Sequence, residues 1–181
     1  MTAYSSSSSS LGSTLILCLI ITSLITPSTS NYLSQMCIKS KSPRFCLQVF
    51  GLNPHRRPYE LTREAINLAF TNASQTKTKI HAFLDQTNDD NLKTIYNLCL
   101  DYYQSAIDVL THAEEYYLKE GQYSNVHAIG KLVQIASFYC ENGFQTIPGY
   151  AYASTLSKDN DNLENFGSII VSAVNLLFNS P

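Results

Sequence analysis

The sequence lacks the features that mark several large functional classes. It contains no tryptophan and only 14% charged residues, and 12 Lys+Arg against 14 Asp+Glu leave a formal charge of −2. Phosphate contacts require a Lys/Arg excess, so this balance argues against a nucleic-acid partner. The longest apolar stretch, Leu11 to Ile25, covers 15 residues, short of the roughly 20 that a membrane-spanning helix needs. Catalytic signatures are missing as well. His55, His81, His112 and His127 form no HExxH and no i,i+4 pair, and none has Cys or His neighbours at metal-ligand spacing. There is no GxSxG elbow and no glycine-rich phosphate loop. The chain reads as a non-enzyme without cofactor or metal.

What is present suits one helical domain. An apolar content of 44% is ample for a core. Residues 1–30 carry no charge: a Ser-rich start, the apolar stretch holding Cys18, then Pro27-Ser28-Thr29-Ser30. Small residues Ser28 and Ser30 stand at −3 and −1 of a cut before Asn31, the pattern of a secretory signal peptide. Cleavage leaves residues 31–181 with Cys37, Cys46, Cys99 and Cys140. An even count in an oxidising compartment reads as two disulfides in a secreted, extracellular protein.

The stretch Gly51 to Pro58, with two prolines and a glycine, separates an N-terminal section from the main body. We therefore assign 31–58 to a helical hairpin and 59–181 to a bundle. Apolar residues at spacings of three, four and seven predict helices over Leu61–Gln86, Asp90–Glu120 and Tyr123–Glu141. The second is about 45 Å long and ends at Gly121. A fourth begins after Ser157-Lys158-Asp159-Asn160, where Asp161 and Glu164 have capping-box spacing, and follows Pro148-Gly149 in the preceding turn. Four amphipathic helices on short connections predict an all-α, up-down-up-down four-helix bundle. Tyr96, Tyr103 and Tyr117 fall on the core stripe with hydroxyls reaching water, while Tyr102, Tyr116 and Tyr123 are candidate surface anchors. Four cysteines allow three pairings. The short spacing from Cys37 to Cys46 suits a local staple, leaving Cys99 and Cys140 to tie the second and third bundle helices.

These residues resemble the plant invertase/pectin methylesterase inhibitor family. The spacing of Cys37, Pro43 and Cys46 matches the family's first staple, with Ser40 and Ser42 at its Thr and Tyr positions. The run Tyr96, Cys99, Tyr103, Ala106, Leu110 and Ala113 follows the family's second bundle helix, with Tyr96 in place of Leu. Tyr123, Cys140 and Phe144 follow the third, where Lys131-Leu132-Val133 and Tyr139 depart from the family's small residues. The resemblance implies a secreted proteinaceous inhibitor of pectin methylesterase or of acid invertase, destined for the apoplast or the vacuole. Invertase inhibitors of the family carry Pro-Lys-Phe between the second and third bundle helices. Here that loop reads Lys119 to Asn125 without it, and Pro43-Arg44-Phe45 belongs to the hairpin. The resemblance then implies that the protein covers the substrate cleft of pectin methylesterase.

On the second bundle helix Asp101, Gln104, Asp108, Thr111 and Glu115 lie opposite the core stripe, an acidic face able to imitate a polyanionic pectin chain. His112, His127 and Lys131 complete the candidate interface; the two histidines would make binding pH-dependent in mildly acidic fluid. Asn72-Ala73-Ser74 has the spacing of an N-glycan acceptor. The alternative from another class is a non-inhibitory secreted bundle, a small-ligand carrier or an interaction protein.

Overall fold

A computed structural model describes residues 31–51, 55–146 and 153–178. Residues 1–30, the expected signal peptide, and the turn expected at Pro148-Gly149 lie outside the described residues. Among the described residues six helices follow in order: α1 (Tyr32–Lys39), α2 (Pro43–Phe50), α3 (Pro58–Gln86), α4 (Asp90–His112, continued by a π-helical turn Ala113–Leu118), α5 (Tyr123–Gly143) and α6 (Ser157–Phe178).

Each start has a chemical cause. The Asn31 side chain accepts the Ser34 N–H at 3.1 Å, and Ser42 precedes Pro43 at the first position of α2, where a missing N–H costs nothing. Pro58 likewise opens α3, while the Glu60 carboxylate takes the Arg57 N–H at 2.9 Å. That moves the start three residues ahead of the expected Leu61. The Asp89 carboxylate caps α4 through the N–H groups of Asn91 and Leu92, at 2.8 and 3.2 Å. The expected start of α6 at Asp161 is corrected to Ser157. The Leu156 carbonyl already accepts the Asn160 N–H at 2.8 Å, so Asp161 and Glu164 lie inside the helix rather than at its cap.

Neighbours in the bundle are α3 with α4, α4 with α5, α5 with α6, and α6 with α3. This ring of sequential, shortly connected helices is the up-down-up-down bundle, with α4 diagonal to α6. Its core takes one stripe from each helix, including Leu61, Ile66 and Ile80 from α3, Ile95, Tyr103 and Leu110 from α4, Val126 and Val133 from α5, and Leu163, Ile170 and Val174 from α6. The α1–α2 hairpin packs on α6. Phe45 meets Phe166 edge-on at 5.2 Å, and the Lys41 N–H donates to Ser168 Oγ at 2.7 Å. Disulfides join Cys37 to Cys46 and Cys99 to Cys140, at sequence separations of 9 and 41. The first closes the hairpin and the second links α4 to α5.

Side chains cannot fit where α5 and α6 come closest. A Cβ at Gly130 would lie 2.9 Å from the Gly167 carbonyl oxygen, and one at Gly167 would lie 2.7 Å from that of Gly130. Two facing glycines therefore set the spacing of this pair. Gly121 follows α4 with φ of 68°, the left-handed conformation expected for a residue ending that helix.

The end of α4 departs from the expected register. Lys119 N–H donates to the Glu114 carbonyl at 3.0 Å and Gln122 N–H to that of Tyr117 at 2.8 Å, both five residues back. A π turn inserts one residue into the helical register. The buried residue after Ala113 is consequently Leu118, and the expected core residue Tyr117 is only half-buried.

Candidate functional site

The sequence-derived candidates on α4 divide between two flanks. Gln104 faces α3, where Lys77 Nζ donates to its Oε1, and its Nε2 donates to Asp108 Oδ1 at 2.6 Å. Thr111 and Glu115 border a groove on this α3 side, beside Ile66, Asn67 and Phe70. The Thr111 hydroxyl donates to the Ile107 carbonyl at 2.8 Å, and Glu115 is paired with Lys119. Asp101 and Asp108 remain on the outer ridge, both exposed. The acidic residues thus form a ridge of two, with the remainder turned to the α3 flank.

On the other flank α4 and α5 enclose a groove of about 400 Å³, bordered by Asp108, Val109 and His112 from α4 and by Asn125, Ile129 and Leu132 from α5. The His112 ring stands edge-on to Tyr116 at 5.2 Å, and the π turn places Tyr117 at the groove's end. His127 is half-buried on α5 and Lys131 is exposed there. Of the candidates, the structure brings Asp108 and His112 together along this groove.

The outer face of α5 is more apolar than its core stripe alone predicts. Leu132, Ile135, Phe138 and Tyr139 are 48, 46, 58 and 45% exposed, and Leu98 of α4 is 39% exposed beside them. Tyr139 stacks on Tyr102 of α4 with centroids 5.3 Å apart, and Phe138 meets the Tyr139 ring at 5.5 Å. The two helices therefore share an apolar, aromatic strip that no other described element covers. Such strips exceed what a lone soluble domain needs and mark contact surfaces. A signal exists in the sequence: α5 has apolar residues at 132, 135, 138 and 139 in addition to its core stripe at 126, 129, 133 and 136. A helix apolar on two faces has two partners to satisfy.

A polar cluster joins the last turn of α5 to the start of α6. Ser154 Oγ and Ser157 Oγ each donate to the Glu141 carboxylate at 2.7 Å, and Asn160 Nδ2 donates to it at 2.6 Å. Tyr103 OH donates to Asn160 Oδ1 at 2.8 Å, and Tyr96 OH pairs with Thr155 Oγ1 at 3.1 Å. The expectation that these tyrosines reach water is corrected: both are buried, and each hydroxyl ends on a protein partner. Burial pushes the Tyr103 phenol up, the negative charge of Asp159 adds to the effect, a hydroxyl contact with Thr76 opposes it, and Glu141 adds a smaller rise. The cluster pins the start of α6 to α5. Among the described residues no group of three His, Cys, Asp or Glu could hold a metal ion, and no helix is long and apolar enough to cross a membrane.

Known proteins resemble this chain along most of its length. A pectinesterase inhibitor from Actinidia deliciosa is 28% identical over 183 residues, 97% of each chain. Pectinesterase inhibitor 1 from Arabidopsis thaliana is 31% identical over 91 residues, 49% of this chain and 51% of that protein. The crystal structure of mutant form A of a pectin methylesterase inhibitor from Arabidopsis matches with a TM-score of 0.71 at 22% identity, covering 81% of this chain and 97% of that one. A second crystal structure of a pectin methylesterase inhibitor, from Arabidopsis thaliana, matches with a TM-score of 0.61 at 23% identity, over 82% and 97%. The structural likeness carries the helical fold. The family model for the plant invertase/pectin methylesterase inhibitor matches residues 31–172, and the chain belongs to that family of enzyme inhibitors.

Proposed function

We propose that this protein is a secreted inhibitor of pectin methylesterase, released by cleavage before Asn31 into the apoplast and acting without catalysis or cofactor. The observation that carries the reading is the uncovered strip of Leu132, Ile135, Phe138 and Tyr139 with Leu98 and Tyr102, held on two disulfide-linked helices. Rigid aromatic anchors give affinity at little entropic cost. Asp101 and Asp108 on the adjoining ridge steer the encounter, since rim charges change association rates more than affinity. Seated over the substrate cleft, the strip excludes the polymer without any chemistry. The relatives' names favour pectinesterase as target, and the Lys119 to Asn125 loop offers no Pro-Lys-Phe wedge for an invertase cleft.

Titration of the secreted protein against pectin methylesterase and against cell-wall and vacuolar invertases tests this reading. The expected result is stoichiometric inhibition of the first and none of the invertases. Inhibition of an invertase alone would reassign the target, and no effect on any of the three would leave the non-inhibitory bundle.

A further inference from the structure

Charge is distributed unevenly along the chain. From Asn31 to Arg63 the sequence places Lys39, Lys41, Arg44, Arg56, Arg57 and Arg63 against one carboxylate, Glu60, whereas the remainder has six Lys+Arg against thirteen Asp+Glu. The basic residues lie on the hairpin and the adjoining start of α3, together the hairpin end: Lys39 closes α1, Arg44 is in the first turn of α2, and Arg57 and Arg63 precede and follow the first turn of α3. Arg56 Nη2 donates to the Phe50 carbonyl at 2.7 Å, its guanidinium lies 5.6 Å over the Phe50 ring, and Glu64 pairs with it, which ties the end of α2 to the first turns of α3. Lys41 pairs with Glu164 of α6. Glu60 is committed to the Arg57 main-chain N–H. The neighbouring carboxylates are thus engaged, and Lys39, Arg44, Arg57 and Arg63 are exposed with no ion pair among the described residues.

Three of these four cations are arginines, whose planar fork matches a carboxylate. One exposed ion pair contributes little on its own, so four of them favour a ligand that presents several carboxylates in a row over any single acid. The strip's residues all lie on α4 and α5, whereas these four cations lie on the hairpin, which packs on α6, and at the start of α3, so the two surfaces share no residue. We propose that the hairpin end binds a polyuronate, the carboxylate-bearing polymer that a methylesterase leaves when water cleaves each methyl ester to a carboxylate and methanol. The polymer's identity rests on the target proposed above. Bound there, the inhibitor stays on de-esterified stretches, where the enzyme has acted, with its inhibitory face free.

The test is cosedimentation of the secreted protein with polygalacturonate at low salt, with no enzyme present. Retention is expected, with release as salt shortens the Debye length from about 30 Å at 0.01 M to about 8 Å at 0.15 M. Highly methyl-esterified pectin and the variant Lys39→Gln/Arg44→Gln/Arg57→Gln/Arg63→Gln should each bind at least about tenfold more weakly, by loss of several exposed pairs. The variant's inhibition of pectin methylesterase on a short soluble substrate should stay within about twofold of wild type, because the strip is untouched. Absence of wild-type retention, equal binding of esterified pectin, equal binding by the variant, or equally tight capture of duplex DNA would each overturn the proposal. The salt titration and the esterified control use wild-type protein alone, so they decide even if the variant does not fold. Polymer binding without inhibition would remove the target reading and leave a uronate-binding surface.

Discussion

The facing glycines of α5 and α6 support a quantitative prediction. In Gly167→Ala the new Cβ would lie 2.7 Å from the Gly130 carbonyl oxygen, 2.9 Å from Gln134 Cγ and 3.0 Å from Gln134 N, where ordinary contact begins near 3.4 Å. Two of these atoms are main chain and cannot rotate away. The helices must part by several tenths of an ångström along their whole contact, an overpacking cost near the upper end of the ~1–3 kcal/mol range. Alanine offsets about 1 kcal/mol through its better helix propensity. The net expectation is a loss of about 1–2 kcal/mol, a fall in Tm of roughly 2–8 °C for a chain of this size. Gly143→Ala is the control: its Cβ would meet only the side-chain ends of Leu98 and Ile95, at 3.2 and 3.5 Å, so its change should stay within about 0.5 kcal/mol. Urea unfolding followed by circular dichroism measures both. A Gly167→Ala protein as stable as wild type would refute the claim that backbone contact sets the α5–α6 spacing.

Three further outcomes follow from burial and covalent links. The folded pKa of Tyr103 lies above its unfolded value, so the phenol's contribution is complete below about pH 10 and is lost as pH rises beyond it. Tyr103→Phe should cost about 1–3 kcal/mol at pH 7 by leaving buried Asn160 Oδ1 without its donor. The gap to wild type should then narrow by up to about 1.4 kcal/mol per unit above pH 10; parallel unfolding curves from pH 7 to 11 would contradict this. Replacing Cys99 and Cys140 by Ser, which opens the longer loop, should cost about 4 kcal/mol, against about 3 for Cys37 and Cys46; denaturant titration with the reverse ranking would contradict the loop argument. Asn72 is half-buried within α3 and its Oδ1 is enclosed, so mass spectrometry of secreted material should find its peptide without a glycan, and full occupancy would contradict the packing.

Helix periodicity alone makes most of the bundle legible, because the stripes at Ile95, Cys99, Tyr103, Ala106 and Leu110 or at Val126, Ile129 and Val133 admit one face each. The same periodicity fails where two registers fit. Tyr117 and Leu118 are both apolar neighbours of the stripe, and only main-chain bonding decides that a π turn buries the second. The start of α6 misleads because Asp161 and Glu164 imitate a cap, whereas the real anchor is Glu141, contributed by α5 and bonded to Ser154, Ser157 and Asn160. Contacts such as these, between residues 13 to 19 apart, have no local signature. The candidate site is legible in the sequence as a pair of helices but not as a surface. Lys131-Leu132-Val133 and Tyr139 stand out as departures from the family's small residues, yet their joint exposure with Ile135 and Phe138 follows from how α5 rolls against α4 and α6.

An inhibitory surface on the α4–α5 strip must depend on its aromatic residues more than on the acidic ridge. This dependence is tested most directly by titrating pectin methylesterase with wild type, Phe138→Ala/Tyr139→Ala and Asp101→Ala/Asp108→Ala, all verified as folded. Loss of two central aromatic anchors, at about 2 kcal/mol or more each, should weaken inhibition at least a hundredfold, while the acidic pair should change it by about fivefold or less, chiefly through the association rate. Undiminished inhibition by Phe138→Ala/Tyr139→Ala would contradict the account.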